Sequence, residues 1–215
     1  MTHNSPKPSF TEERNLQKQG YRLIAGIDEV GRGTLAGPVV AAAVILPCRI
    51  KTPWLNQVRD SKLLSPMARQ RLTPLIQEIA TTTGIGAASS EVIDTKGISY
   101  ATKLAMKLAI EQLSPPPESL LIDFILLPEV PLPQKGITNG DSLCFSIACA
   151  SIIAKVARDH LMVELDKVYP GYGLAQHKGY ATKEHLACLY RLGPSPIHRR
   201  SFKPVSAIIY KQNEA

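Results

Sequence analysis

Two adjacent carboxylates end an apolar stretch near the start of the chain, and a third interrupts another apolar stretch. In GIDEVGRGTLAGP (26–38), Asp28 and Glu29 precede a Gly-Arg-Gly turn, and Asp123 lies within SLLIDFILL. Removing a carboxylate from water is costly unless the group is paired or binds a metal. Acids that converge at strand ends supply the hard oxygen ligands that Mg²⁺ and Mn²⁺ prefer. These residues therefore predict a divalent-metal site.

Each acid also has a less specific explanation. Asp123 alone is explained equally well by pairing with a basic neighbour at a strand end. Successive strand side chains point to opposite faces. Asp28 and Glu29 can therefore share a metal only if the strand has already broken into the turn, or if Glu29 supplies its backbone carbonyl. Asp141, in TNGDS, precedes a predicted long helix, and this context alone favours an N-cap.

The glycine turn has the properties of a ligand-binding loop. Gly31 and Gly33 permit positive φ angles and close backbone approach, so amide and carbonyl groups can contact a ligand. Arg32 between them can bind a phosphate. A GRG triplet alone is weak evidence, because glycine-rich hairpin loops are common. Together with two acids in the same short stretch, it predicts a site where metal and phosphate meet.

The elements that would position these residues follow from hydrophobic periodicity and from glycine and proline boundaries. Apolar segments predict strands at 21–28, 39–46, 84–89 and 120–127. Helical spacing predicts helices after the cap Ser65-Pro66, over 98–113, over 142–168 and between Thr182 and Gly193. We expect Pro74 to kink or interrupt the first of these helices. Early strands and late helices indicate one α/β core with a helical C-terminal extension.

Composition indicates an ordinary globular protein. The chain has 215 residues with 44% apolar and 20% charged residues, which suffices for one α/β domain. Its longest apolar run, 39–46, is too short to span a bilayer, and the polar N-terminus lacks the apolar core of a signal peptide. We therefore expect a cytoplasmic protein without membrane association. The absence of C-x-x-C spacing argues against zinc, and Cys144, Cys149 and Cys188 are expected to be small buried hydrophobes.

The charge distribution is consistent with a polyanion as ligand. The formal net charge is +7 and the sequence pI is about 9.3. Cations crowd the C-terminal end at Arg191, Arg199, Arg200 and Lys203. On the predicted long helix, acids and bases alternate and indicate a solvated charged face. These helix residues are Lys155, Arg158, Asp159, Glu164, Asp166 and Lys167.

Six motifs together resemble bacterial ribonuclease HII, the type 2 ribonuclease H. They are GIDEVGRGTLAGPVVAAAVILP, DSKLLS, LLIDF, NGDS…ASIIAKVARD, YGLAQHKGYAT and HRRSFKPV. They occur in the family's order from about Tyr21 to about Val205. The resemblance implies a ribonuclease H-like α/β fold, in which helices flank a mixed sheet. It also implies metal-dependent endonucleolytic cleavage of RNA hybridised to DNA.

The resemblance assigns the site residues. The family's catalytic acids, which hold two Mg²⁺ or Mn²⁺ ions, match Asp28, Glu29, Asp123 and Asp141. This match reverses the interpretation of Asp141 as only a cap. The motif that reads the ribose 2′-hydroxyl matches Gly31, Arg32 and Gly33, where a flexible glycine backbone can donate to and accept from that hydroxyl. The junction-sensing tyrosine matches Tyr180, and Ser61 and Lys62 match residues that line the nucleic-acid groove.

Three positions depart from the family pattern. Thr34 replaces a proline, Phe124 a glycine and Asn139 a lysine, and the last change removes a positive charge near the metals. None removes a carboxylate. The sister family, ribonuclease HIII, lacks arginine in the turn and carries an extra N-terminal domain. Arg32 and the short N-terminal lead-in therefore favour HII.

The implied reaction is cleavage of RNA in hybrids, including incision on the 5′ side of a single ribonucleotide in duplex DNA, with 3′-hydroxyl and 5′-phosphate products. We expect a monomer with a lead-in (1–20) and one catalytic domain (21–215) whose C-terminal extension begins at about 170. A non-catalytic nucleic-acid-binding module would explain the basic excess but not Asp123 in its apolar strand. A DNA-specific nuclease or recombinase of the same fold is disfavoured by Arg32 and Tyr180.

Overall fold

A five-stranded mixed sheet forms the centre of the protein. The computed structural model describes residues 7–47, 50 and 52–213. Its strands are β1 (Ile24–Val30), β2 (Val39–Ile45), β3 (Thr82–Ala88), β4 (Ser119–Asp123) and β5 (Gln134–Ile137), in the spatial order β3-β2-β1-β4-β5. β2 pairs antiparallel with β1 and β3, whereas β4 pairs parallel with β1 and β5. The predicted α/β class with a mixed sheet is confirmed.

Helices cover both faces of this sheet and form the C-terminal part. They are α1 (Thr11–Lys18), α2 (Pro66–Ile79), α3 (Ser90–Lys96), α4 (Ile98–Glu111), α5 (Gly140–Leu143), α6 (Phe145–Val168), α7 (Leu174–His177), α8 (Lys183–Leu192) and α9 (Lys203–Asn213). Short 3₁₀ turns cover Pro53–Gln57 and Ser61–Leu63. None of the helices in the described part of the chain combines the length and apolar character needed to cross a membrane.

The side chains of β2 point alternately into two core layers, one on each face of the sheet. Ala41 and Ala43 pack with residues of α4 on one face, whereas Ala42 and Val44 pack with residues of α6 on the other. β2 is fully buried, which explains its continuous apolar sequence. Gly26 in β1 allows α6 to approach closely, because a Cβ there would lie 2.2 Å from the backbone carbon of Ser146. This contact brings the start of α6 against the strand that carries Asp28.

Several predicted boundaries differ from the observed ones. α2 runs through Pro74 without interruption, because Pro74 lies on the exposed side, where the carbonyl of Gln70 can be hydrated. The fourth strand ends at Asp123, since Phe124 adopts the left-handed conformation with φ 62°. The predicted helix over 142–168 is two helices, interrupted where Cys144 is extended at φ −117° and ψ 131°. β5, α3 and α9 were not predicted.

Glu13 caps the start of α6, and Asp141 does not. The Glu13 carboxylate accepts hydrogen bonds from the Ser146 amide at 2.9 Å and the Ser146 hydroxyl at 2.7 Å. Asp141 lies within α5, so the interpretation as an N-cap was wrong. The cap comes from a residue more than 130 positions earlier in the chain, which local sequence cannot reveal. α1 is thereby attached to the helix that lies beside Asp28.

The C-terminal segment packs back onto the loop after β1. Ala36 forms an isolated bridge with His198, and the Arg199 amide donates to the Leu35 carbonyl at 2.8 Å. Asp94 in α3 accepts from the backbone amides of Arg200 and Ser201, each at 2.9 Å. Cys144 and Cys149 are buried as expected and Cys188 partly so, while Cys48 lies outside the described residues. The C-terminal extension is therefore attached to the glycine-rich loop.

Candidate active site

Asp28 and Asp123 lie side by side on neighbouring strands. β1 and β4 run parallel with Ile27 opposite Ile122, so the next residue on each strand is an aspartate. Asp28 is only 5% exposed. Asp123 ends β4, and its Oδ1 accepts a hydrogen bond from the Gly140 amide at 2.8 Å. The parallel register thus brings together two acids that are 95 residues apart in sequence.

Asp141 joins this pair from α5. It follows Gly140, whose amide binds Asp123, and its side chain is almost fully buried. Its Oδ2 lies 3.5 Å from Nζ of Lys62, an otherwise exposed side chain that also lies 4.0 Å from Asp60. Three of the four predicted acids therefore gather at the carboxyl ends of β1 and β4, and the exposed Lys62 ammonium faces Asp141.

Glu29 lies on the other face of β1 from Asp28. The strand continues through Val30, with Asp28 opposite Ala42 and Glu29 opposite Ala41. Glu29 Oε1 lies 3.4 Å from Nη1 of Arg32, and its Oε2 is buried without a hydrogen-bond partner. Because the strand has not broken at Glu29, the first of the two alternatives for metal sharing is not met. Sharing through the Glu29 backbone carbonyl stays open.

Nearby cations only partly balance the negative charge of the buried carboxylates. Burial raises the pKa of the Asp28 carboxyl well above its usual range, and the neighbouring Glu29 and Asp123 carboxylates raise it further. Burial also raises the pKa of Asp123, although the Gly140 amide and the Lys62 ammonium oppose this effect. Burial raises the pKa of Asp141 as well, followed by the repulsion of Asp60. A bound cation would lower all three pKa values, because it would stabilise the ionised carboxylates.

The residues fit a divalent cation, although they do not yet enclose one. Within the described ranges, no group of three or more His, Cys, Asp or Glu side chains is already arranged to hold a metal ion. Like-charged carboxylates repel, and Asp141 and Glu29 are directed instead toward Lys62 and Arg32. The available donors are all carboxylate or carbonyl oxygens, as Mg²⁺ and Mn²⁺ prefer.

The glycine turn is held rigidly by Arg199. Gly31 has φ 91°, which favours glycine, and its carbonyl accepts from Nη2 of Arg199 at 2.7 Å. Nη1 of Arg199 donates to the Arg32 carbonyl at 2.8 Å, and Nε donates to the Gly37 carbonyl at 3.1 Å. These hydrogen bonds constrain the backbone of the turn. Arg32 keeps its own side chain partly exposed, and a Cβ on Gly33 would meet nothing within 4 Å.

Arg158 holds the same loop from the opposite side. It is fully buried on α6 and donates to the Pro38 carbonyl at 3.0 Å and to the Thr34 hydroxyl at 2.9 Å. Its guanidinium leaves no room for a Cβ at Gly31. Arg158 was assigned to a solvated face, and that assignment was wrong. Its spacing from the buried Ser151 and Ala154 was the available signal, but arginine is rarely expected in a core.

The Tyr180 loop is attached to the glycine turn. Arg158 Nη1 donates to the Lys178 carbonyl at 2.9 Å, and the Leu35 amide donates to the Gly179 carbonyl at 2.8 Å. The Tyr180 side chain is 40% exposed, and Nζ of Lys155 lies 5.6 Å from its ring centre. The two predicted recognition elements therefore form one connected unit beside the acids.

Two buried histidines support this loop, and sequence reasoning missed them. Nδ1 of His185 lies 2.9 Å from the Tyr180 carbonyl, which can only accept, so Nδ1 carries the proton. Nε2 of His185 must then accept from Nε2 of His198, 3.0 Å away. The Ser195 amide donates to Nδ1 of His198 at 3.0 Å. Both rings are therefore neutral, and burial lowers the pKa of His198 to about 4.

Ser61 and Lys62 take different positions. Ser61 is buried, and its hydroxyl lies 2.8 Å from the Ser151 hydroxyl on α6. The Ser61 carbonyl accepts from Nη1 of Arg69 at 2.8 Å. Lys62 has a side chain that is 79% exposed and faces Asp141. Lys62 therefore presents its charge to solvent, whereas the Ser61 hydroxyl faces into the protein and fixes the position of the 3₁₀ turn.

The sequence and fold match known ribonucleases. The ribonuclease HII family profile matches residues 25–205. Ribonuclease HII of Dehalococcoides mccartyi is 58% identical over 202 residues, which cover 94% of this chain and 95% of that protein. The ribonuclease HII of Archaeoglobus fulgidus, solved in a complex with PCNA, has a TM-score of 0.70 and 28% identity over 86% of this chain and 96% of that one. Ribonuclease H2 of Pyrococcus horikoshii shares the fold, with a TM-score of 0.69 and 21% identity over 89% of this chain and 99% of that one.

Proposed function

Because this chain belongs to the ribonuclease HII family, we propose that it cleaves RNA in a divalent-metal-dependent reaction and incises duplex DNA on the 5′ side of a single ribonucleotide. Family membership makes the protein an endoribonuclease that acts on RNA–DNA hybrids. The proposal adds the metal, the residue roles and the second substrate. We also propose that the protein works as a monomer in the cytoplasm.

The observation that carries the proposal is the side-by-side placement of Asp28 and Asp123 next to the rigid glycine turn. Asp28, Asp123, Asp141 and Glu29 would hold Mg²⁺ or Mn²⁺. Bound there, the metal would supply activation of the attacking water and charge stabilisation of the departing 3′-oxygen. Lys62 can move between Asp141 and a substrate phosphate because its side chain is exposed. The expected products are 3′-hydroxyl and 5′-phosphate ends.

The glycine turn would recognise the ribose. Discrimination of RNA from DNA must involve the 2′-hydroxyl, which both donates and accepts hydrogen bonds. The Arg32 carbonyl already accepts from Arg199, but a carbonyl oxygen has a second lone pair. The turn can therefore contact the hydroxyl without rearranging, and Arg32 can bind an adjacent phosphate. A preformed contact of this kind loses little conformational entropy on binding.

Tyr180 would recognise the change from RNA to DNA. Its partly exposed ring lies next to the glycine turn, and the Gly179 and Lys178 carbonyls hold its loop in place. Stacking of the ring on the sugar beside the scissile phosphate would favour a deoxyribose after the ribonucleotide. The less specific explanation, that Tyr180 packs its loop onto α6, predicts equal effects of Tyr180→Ala on both substrates.

The experiment compares two substrates, a single-ribonucleotide duplex and a long RNA–DNA hybrid, at equal salt because phosphate contacts make affinity salt-dependent. Wild type with Mg²⁺ should cleave both, and EDTA should abolish both reactions. Tyr180→Ala should reduce incision at the single ribonucleotide more than cleavage within long RNA, where no junction is sensed. Equal losses on both substrates would reject the junction role. A wild type that is inert on the single-ribonucleotide duplex would leave only a hybrid nuclease.

A further inference from the structure

A cleft of about 340 Å³ lies beside Tyr180, between α2, α6 and the turn after α7. Its lining includes Arg69 from α2, Lys155 and Asp159 from α6, and Lys178 from the turn. Binding pockets for small organic molecules are lined mostly by apolar side chains. This cleft combines four charged side chains and two exposed glutamines with a smaller number of apolar and aromatic side chains. It therefore suits a charged, extended ligand.

The cleft carries an excess of positive charge. Asp159 Oδ1 lies 2.8 Å from Nζ of Lys155, and Oδ2 lies 3.6 Å from Nη2 of Arg69. These two pairs hold the cations in place but use both carboxylate oxygens. Lys178 adds a third cation, whose Nζ donates to the Ala175 carbonyl. Three cations against one carboxylate leave a surplus that an anion can neutralise.

α6 connects the cleft with the acids. Ser151, Lys155 and Asp159 are four residues apart on one face of the helix, so each step advances about 6 Å along its axis. The Ser151 hydroxyl lies 2.8 Å from that of Ser61, the residue before Lys62, whose Nζ lies 3.5 Å from Asp141. A strand that runs along α6 from a phosphate at the level of Ser151 would reach Lys155 after about 6 Å and Asp159 after about 12 Å. At about 3.4 Å of rise per nucleotide, these distances correspond to two to four nucleotides.

We infer that this cleft is a phosphate subsite that binds the backbone of the cleaved strand two to four nucleotides 3′ of the scissile phosphate. Lys155 and Lys178 contact the phosphates directly. Arg69 is held by the Ser61 and Leu64 carbonyls at 2.8 and 2.6 Å and contributes its charge from the wall. The inference rests on the proposed function, because the position of Tyr180 sets the direction of the strand.

The test removes one phosphate charge at a time. Duplexes with a single ribonucleotide carry one uncharged methylphosphonate at each of the second to fifth phosphates 3′ of the scissile bond. Their Kd values are measured in EDTA and their kcat/KM values in Mg²⁺, at fixed salt. For wild type, we expect a loss of about ten-fold at one or two positions, as for one charge-assisted hydrogen bond. On the unmodified duplex, Lys155→Gln should bind and cleave less well than wild type by the same factor. A methylphosphonate at the sensitive positions should then cause no further loss in this variant.

Two more variants make the test specific. Lys178→Asn removes the other cation and should be non-additive at the same or the adjacent phosphate; asparagine is chosen because it tolerates the φ of 53° at this position. Lys167→Gln is the control, since it removes one charge from α6 outside the cleft lining, where Lys167 pairs with Glu164. Its effect should simply add to that of each methylphosphonate. Melting temperatures check that every variant is folded.

The outcomes separate this inference from the function on which it rests. Unchanged affinity at all four positions, or additive losses in Lys155→Gln, would each overturn the phosphate subsite. The same scan is run on a strand with an RNA segment followed by DNA, paired with DNA. If the protein does not incise the single-ribonucleotide duplex, the proposed function fails, and this second scan still decides whether the cleft binds phosphate.

Discussion

At the scale of single residues, the repulsion between Asp28 and Asp123 predicts opposite effects on stability and activity. Asp28→Asn removes a buried charge from beside other carboxylates, so the melting temperature in EDTA should rise by about 2–4 °C for each kcal/mol relieved. Cleavage should be abolished, and the added stability that wild type gains from Mg²⁺ should be lost. Glu111→Gln, an exposed acid on α4, is the control and should change none of these. Normal turnover by folded Asp28→Asn would contradict the metal role of Asp28.

Asp141 allows a second prediction at this scale. Its side chain caps no helix and instead faces Lys62 at 3.5 Å, so Asp141→Ser should leave the melting temperature nearly unchanged. The variant should lose most of its activity, because serine cannot replace an anionic metal ligand. Thermal unfolding and hybrid cleavage are measured on the same preparation. A fully active serine variant would show that Asp141 is not a ligand in this protein.

At the scale of elements, Thr34 links the glycine-rich loop to α6. Its hydroxyl accepts from Arg158 at 2.9 Å and can donate to the Gly31 carbonyl at 3.0 Å. Thr34→Val keeps the shape but leaves buried polar groups without these bonds, so the free energy of unfolding should fall by about 1–3 kcal/mol. Single-ribonucleotide incision should fall with it, since the turn loses one of its supports. Thr34→Ser should restore both, and a valine variant with unchanged stability and incision would reject the link.

How far the sequence predicts each element depends on whether its partners are local. The apolar context marked Asp28, Asp123 and β2, and Ser65 was confirmed as the cap of α2. Local patterns did not predict β5, because its four residues, QKGI, are mostly polar and form a strand only beside β4. The break at Cys144 likewise depends on tertiary contacts, since the Phe145 amide donates to the Ser9 carbonyl.

The candidate site shows the same division. The four acids, the glycine turn and Tyr180 could be named from motifs, whereas the groups that hold them could not. Arg158 and Arg199 are fully buried, although arginine is normally exposed, and their partners are backbone carbonyls far away in sequence. Burial lowers the pKa of Arg199 to about 9, so this guanidinium still carries its charge at neutral pH. Only the folded chain shows that these cations serve the glycine turn rather than a nucleic acid.

At the scale of the whole molecule, the buried histidines predict acid sensitivity. The pKa of His198 in the folded protein is about 4, below the ordinary value of 6.5. Between these two values the unfolded state binds more protons, so this contribution to stability is complete above pH 6.5 and is lost as the pH falls toward 4. The loss is on the order of 2–3 kcal/mol. Urea unfolding at a series of pH values measures it, and His198→Gln should flatten this part of the profile. An unchanged slope in the variant would assign the acid sensitivity to other groups.

The connection of the glycine turn to the Tyr180 loop limits how this enzyme can be remodelled. Arg158 reaches both loops, and Arg199 brings the C-terminal segment to the same turn. A loop grafted alone from a relative would arrive without the carbonyls that these buried guanidiniums require. Arg158 and residues 31–38, 178–180 and 197–199 therefore constitute one transferable module, even though they are scattered along most of the sequence. Substrate preference in this scaffold should change by exchange of that whole module together, rather than by exchange of single loops.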